Sequence, residues 1–106
     1  MKRLIPSKKV REAFLLTYEL KGCQRSVNYL TAYYGIRRMK IVLDGRRVGN
    51  GDEACYDNGI AYFTRRGLKK RNVLHELYHH VVEVNGLEMN ETEEERQANR
   101  YAKAFF

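Results

Sequence analysis

Long apolar runs are missing from this chain. The longest cluster, Ala13 to Leu16, lies between Glu12 and Glu19, and nothing approaches the roughly 20 residues a membrane-crossing helix needs. Cysteine is scarce: Cys23 and Cys55 lie far apart and match no CxxC spacing. That excludes a disulfide framework and a cysteine zinc site, and leaves two buried free thiols as the expectation. The opening residues, MKRLIPSKKV, have the basic start of a secretory signal but set Pro6, Ser7, Lys8 and Lys9 where its apolar stretch belongs. A soluble cytoplasmic protein is expected. No glycine-rich phosphate loop opens a helix, since GNGD at 49–52 lacks both the lysine and the preceding strand. No serine or cysteine sits in a nucleophile motif. Repeats, low-complexity stretches and linkers are also absent. At 106 residues and 43% hydrophobic content the chain can bury one core and not two, so residues 1–106 read as a single domain.

Charge is present and unevenly placed. Residues 1–71 hold 17 basic and 6 acidic side chains, a net of +11, whereas residues 72–106 hold 3 basic and 7 acidic, a net of −4. A basic body is joined to an acidic last third. The basic part suits a solvated surface, or a partner such as nucleic acid, anionic lipid or an acidic substrate.

Periodicity predicts an α+β fold. Ser7 caps a first helix with Val10, Ala13, Phe14 and Leu20 as its apolar positions, closed by Gly22. A second helix runs from about Arg25 to Tyr34, with Val27, Leu30 and Tyr34 on one face and Gly35 after it. The period then changes. Met39–Leu43 reads as a strand ended by Asp44-Gly45, and EACYDNGIAYFT as two strands around an Asn58-Gly59 turn, together a small antiparallel sheet. Helical spacing returns from about Leu68 to Val84, with Leu74, Leu77, Val81 and Val84 on the core stripe and Asn85-Gly86 at its end. A last helix starts at about Thr92, a cap for Glu95 at capping-box spacing, and turns Ala98, Tyr101, Ala102 and Phe105 to one face.

All three histidines fall within VLHELYHH, residues 73–80. His75 and His79 are four apart, so one helix face carries both imidazoles with Cβ atoms about 6 Å apart. They can clamp one ion. Their flank lies roughly 120° from the core stripe at about 100° per residue, so they border the core and face a cleft. Glu76 points to the other side of the His79 direction, placed as a base rather than a ligand. In this HExxH pattern zinc lowers the pKa of bound water toward about 7 and the glutamate takes its proton. His80 projects elsewhere and reads as an ordinary partly buried or surface histidine. A third ligand is wanted from among Glu83, Glu88, Glu91, Glu93, Glu94 and Glu95. Glu83 lies about 12 Å of helix rise beyond His75, so one straight helix cannot supply all three. The partner must come from the last helix, where Glu95 stands at the edge of the packed face and small alanines permit close approach.

HELYH at 75–79 followed by EEERQANRYA at 93–102 resembles the gluzincin metallopeptidase pattern HExxH…ExExxA(D/N). The resemblance implies one zinc per chain held by His75, His79 and Glu95, Glu76 as general base and acid, and Asn99 orienting a ligating histidine. Many gluzincins have Asp at the Asn99 position, and an amide orients with less charge. Among that group a chain of this size is most similar to the minigluzincins, minimal soluble relatives of membrane-embedded CAAX-processing peptidases. Their organisation of helices, small sheet, active-site helix and glutamate helix is shared here in order. It implies a peptide or protein substrate paired with Ile60, Ala61, Tyr62 and Phe63 as an edge strand. It also raises latency: the C-terminal YAKAFF either completes the core through Phe105, folds back to plug the cleft, or crosses into a second molecule as a homodimer. The alternative class is a basic nucleic-acid-binding module, for which Tyr29–Lys40 offers aromatics beside basic residues.

Overall fold

The computed structural model describes residues 4–106. Two helices open it, α1 (Lys8–Lys21) and α2 (Cys23–Tyr34), followed by strand β1 (Lys40–Leu43), a 3-10 turn (Gly45–Arg47) and strands β2 (Ala54–Asp57) and β3 (Ile60–Phe63). Helices α3 (Lys70–Asn85) and α4 (Glu91–Lys103) complete the α+β fold. Among the described residues no helix is long and apolar enough to cross a membrane.

Local chemistry explains most of the boundaries. Ser7 Oγ accepts from the Val10 amide to cap α1, and Gly35 and Gly86 end α2 and α3 in the left-handed conformation. Asn58 and Gly59 both have positive φ, 45° and 86°, which is the backbone a two-residue hairpin requires. The cap of α4 differs from expectation. Asn90, not Thr92, caps it, its Oδ1 accepting from the Glu93 amide at 2.8 Å. The α1 stripe is also narrower than its sequence suggests: Phe14 is buried, but Leu20 is 71% exposed because it lies beyond the reach of the packed elements.

The sheet is mixed rather than wholly antiparallel, in the order β1-β3-β2. β1 runs parallel to β3, with Ile41 beside Ala61, while β2 pairs antiparallel to β3 through the hairpin, with Tyr56 beside Ala61. Ile60, Ala61, Tyr62 and Phe63 therefore form the central strand and not an edge. Ala61 and Phe63 are fully buried, and burial of these residues puts β3 in the middle, both of its edges already hydrogen bonded. The free edge beside it belongs to β2.

The core lies between the sheet and the helices. Val73, Leu74, Leu77 and Val81 of α3 meet Phe14, Val27, Leu30, Met39 and Phe63, with Val84 only half-buried at the stripe's end. Ala98 and Ala102 are buried in α4, and Tyr101 between them donates or accepts a 2.8 Å bond with the Tyr34 hydroxyl. Phe105 is 5% exposed and packs edge-on against Phe14 at 5.4 Å between centroids. In this structure Phe105 closes the core of its own chain, and Lys103 and Phe106 are the exposed residues of the tail.

Candidate metal centre

Packing of α3 against α4 decides the site. The buried α3 stripe faces the sheet and α2, which leaves His75, Glu76 and His79 on the flank that α4 approaches. Ala98 and Ala102 present little side-chain bulk, so the helices come close enough for Glu95 to span the gap. Its Oε2 lies 2.9 Å from His75 Nε2 and its Oε1 2.9 Å from His79 Nε2, and the two imidazole nitrogens are 3.2 Å apart. His75, His79 and Glu95 form a group that could hold a metal ion, their ligand atoms all within 4.8 Å of one another. A four-coordinate ion with bonds of about 2 Å needs its ligand atoms about 3.3 Å apart. The two imidazole nitrogens, 3.2 Å apart, match that spacing, and the Glu95 carboxylate bridges them with one oxygen toward each.

The outer partners strengthen that fit. His79 Nδ1 is hydrogen bonded to a carboxylate oxygen of Glu94, which can only accept, so Nδ1 carries the proton. His75 Nδ1 lies 2.9 Å from Asn99 Oδ1, again an acceptor. Whenever these rings are neutral, each Nε2 is a bare lone pair. Two lone pairs and a carboxylate converge on one point, an arrangement that repels itself unless a cation lies there. The donor set therefore suits a metal better than it suits hydrogen bonding. Burial acts the same way on His75, lowering its pKa from the ordinary 6.5 and favouring the neutral, ligating form.

Glu76 is the fourth member. Only 7% exposed, it lines the same cleft, and its Oε2 lies 4.0 Å from His75 Nε2, too far for a hydrogen bond. Loss of solvent pushes its carboxyl up to about 7, opposed by nearby His79, so it exchanges a proton near neutrality.

The other acidic residues of the region have separate roles. Glu83 pairs with Arg37 at 3.3 Å, and Glu93 bonds Arg96 and Gln97 within α4. Glu94 is the member of this cluster that spacing did not single out. It stands beside Glu95 in a run of like residues, and the only signal for it is the need of a second imidazole for an outer partner. His80 is fully buried and structural: its Nε2 is 2.8 Å from the Arg37 carbonyl and its Nδ1 2.8 Å from the Tyr56 hydroxyl. Burial lowers its pKa as well.

The cleft occupies about 1220 Å³ between α3, the start of α4 and β2, with Ala54, Cys55 and Tyr56 of β2 along one wall. Both cysteines are free thiols and partly exposed. No family model, curated protein or solved structure matches the chain.

Proposed function

We propose that the protein is a zinc-dependent metallopeptidase. The observation that carries this reading is the convergence of His75 Nε2, His79 Nε2 and the Glu95 carboxylate, with the buried Glu76 carboxyl 4.0 Å from His75. Two histidines and one carboxylate, with room for a further ligand, are the donor set of catalytic zinc sites. When bound there, zinc supplies Lewis acidity, acidifying a water and polarising the substrate carbonyl. Glu76 accepts the proton of the attacking water on a carboxylate oxygen and passes it to the amide nitrogen that leaves as the C–N bond breaks. Glu94 and Asn99 hold the two imidazole rings in the tautomer that keeps Nε2 free for the metal. The free edge of β2 offers an extended peptide main-chain hydrogen bonds along the cleft wall, the role that β3 cannot take. The reading places the protein in the cytoplasm, where its two thiols stay reduced.

Metal analysis joined to one variant tests the proposal. The purified chain should hold about one zinc and cleave an unstructured protein, and chelation should stop cleavage. Glu76→Gln should retain zinc and fold while losing at least about a hundredfold in kcat, the usual contribution of a positioned acid-base group. A chain that takes up no zinc at neutral pH, or takes up iron instead, would overturn it.

A further inference from the structure

The charge of the cleft runs against that of the molecule. The chain carries +7 overall, yet among the described residues no lysine or arginine lines the cleft. Beyond Glu76, Glu94 and Glu95, five carboxylates face it. Asp52 and Glu53 come just before β2, and Glu83, Glu88 and Glu91 surround the turn from α3 to α4. Glu53 is paired with Lys69 and Glu83 with Arg37, each at 3.3 Å. Asp52, Glu88 and Glu91 are exposed and have no ion pair among the described residues. The free carboxylates thus sit on both lips, one beside β2 and two beside α4.

An independent sign that a ligand enters is Glu76. It is 7% exposed, lines the cleft, and has no partner nearer than His75 Nε2 at 4.0 Å. β2 contributes an unpaired strand edge along the same wall. Main-chain pairing on that edge is indifferent to side chains, so selection falls to the lips. Carboxylates on low-dielectric walls concentrate a local negative potential even in a basic molecule.

We infer that the substrate is a peptide segment carrying lysine or arginine on both sides of its scissile bond. Its cleavage rests on the metallopeptidase reading; its binding does not. The net charge of +7 sharpens the choice, because it repels a uniformly basic chain while the carboxylates on the lips attract a local basic stretch.

The test uses two short fluorescent peptides with the same apolar centre, one flanked by lysines and one by glutamates. Binding is measured on the zinc-loaded full chain carrying Glu76→Gln, which prevents turnover. The lysine peptide should bind about tenfold more tightly at low ionic strength, with the difference shrinking as salt is added. Overall charge alone predicts the opposite preference. A second variant adding Asp52→Lys, Glu88→Lys and Glu91→Lys, all exposed positions, should reverse the order while keeping zinc and helical signal. Equal binding, tighter binding of the glutamate peptide, or a preference unmoved by the three reversals would overturn the inference. Turnover by the unmodified chain separates the two readings. Lysine-selective binding without cleavage of either peptide would remove the peptidase and leave the basic ligand, whereas equal kcat/KM on both would remove the selectivity and leave the peptidase.

Discussion

Glu94 and Glu95 are adjacent and alike, yet their carboxylates meet different atoms of one histidine. Glu95 faces Nε2 of His79, and Glu94 faces Nδ1 of the same ring. Removing an outer partner that orients a ligand typically costs about 10- to 100-fold in metal affinity. Glu94→Ala and Asn99→Ala should each fall in that range, while Glu95→Ala, which deletes a ligand atom, should lose more than either. Competition with a zinc chelator of known affinity measures all three. Should Glu94→Ala strip the metal and Glu95→Ala retain it, the assignment of ligand and outer partner is reversed. The meeting of His75, His79 and Glu95 was legible in sequence, because spacing of four puts the two histidines on one helix face and Glu95 stands at the edge of the packed face of the last helix. Glu94 was not legible, since its role depends on which way the His79 ring turns once α4 has docked.

At the scale of elements, short-range chemistry was read well and long-range pairing was not. Gly22, Gly35 and Gly86 mark helix ends wherever the backbone turns, and Asn58-Gly59 makes its hairpin with no help from the rest of the chain. β1 is different. Residues 44–53 carry the chain from β1 past β3 to β2, and nothing local says that the third strand will slot between the first two. The strand edge beside the cleft consequently belongs to Ala54–Asp57 and not to Ile60–Phe63. Capping shows the same limit on a finer scale. Thr92 and Asn90 both precede acidic residues, but only Asn90 has the extended backbone, φ −73° and ψ 163°, that lets its side chain reach an orphan amide. Asn90→Ala should therefore cost about 1 kcal/mol of stability. Thr92→Ala should cost little, because Thr92 lies exposed within the helix. Urea denaturation of the two variants decides between the caps.

For the whole molecule, the candidate metal centre is also a link between its two last helices. α3 anchors to the sheet and α2 through Leu74, Leu77 and Val81, while α4 reaches the other end of the core through Tyr101, and Phe105 just beyond α4 packs on Phe14 of α1. Where α3 and α4 meet at the cleft, the His79–Glu94 and His75–Asn99 hydrogen bonds join them, and His75, His79 and Glu95 turn their ligand atoms to within 4.8 Å of one another. A bound ion shared by the three groups would tie α3 to α4 at the cleft end, as the core does at the other. An ion that binds the folded chain and not the unfolded one stabilises it by RT ln(1 + [L]/Kd), about 4 kcal/mol at a thousandfold excess over Kd. In a domain of this size each kcal/mol moves Tm by about 4–8 °C, so saturating zinc should raise Tm by well over 10 °C. The rise should survive in Glu76→Gln, which keeps every ligand, and vanish in His79→Ala, which breaks the clamp but leaves the core stripe intact. Thermal unfolding with and without zinc measures it. A rise that persists in His79→Ala would place the zinc elsewhere on the chain, and a rise lost in Glu76→Gln would make Glu76 a ligand rather than a base.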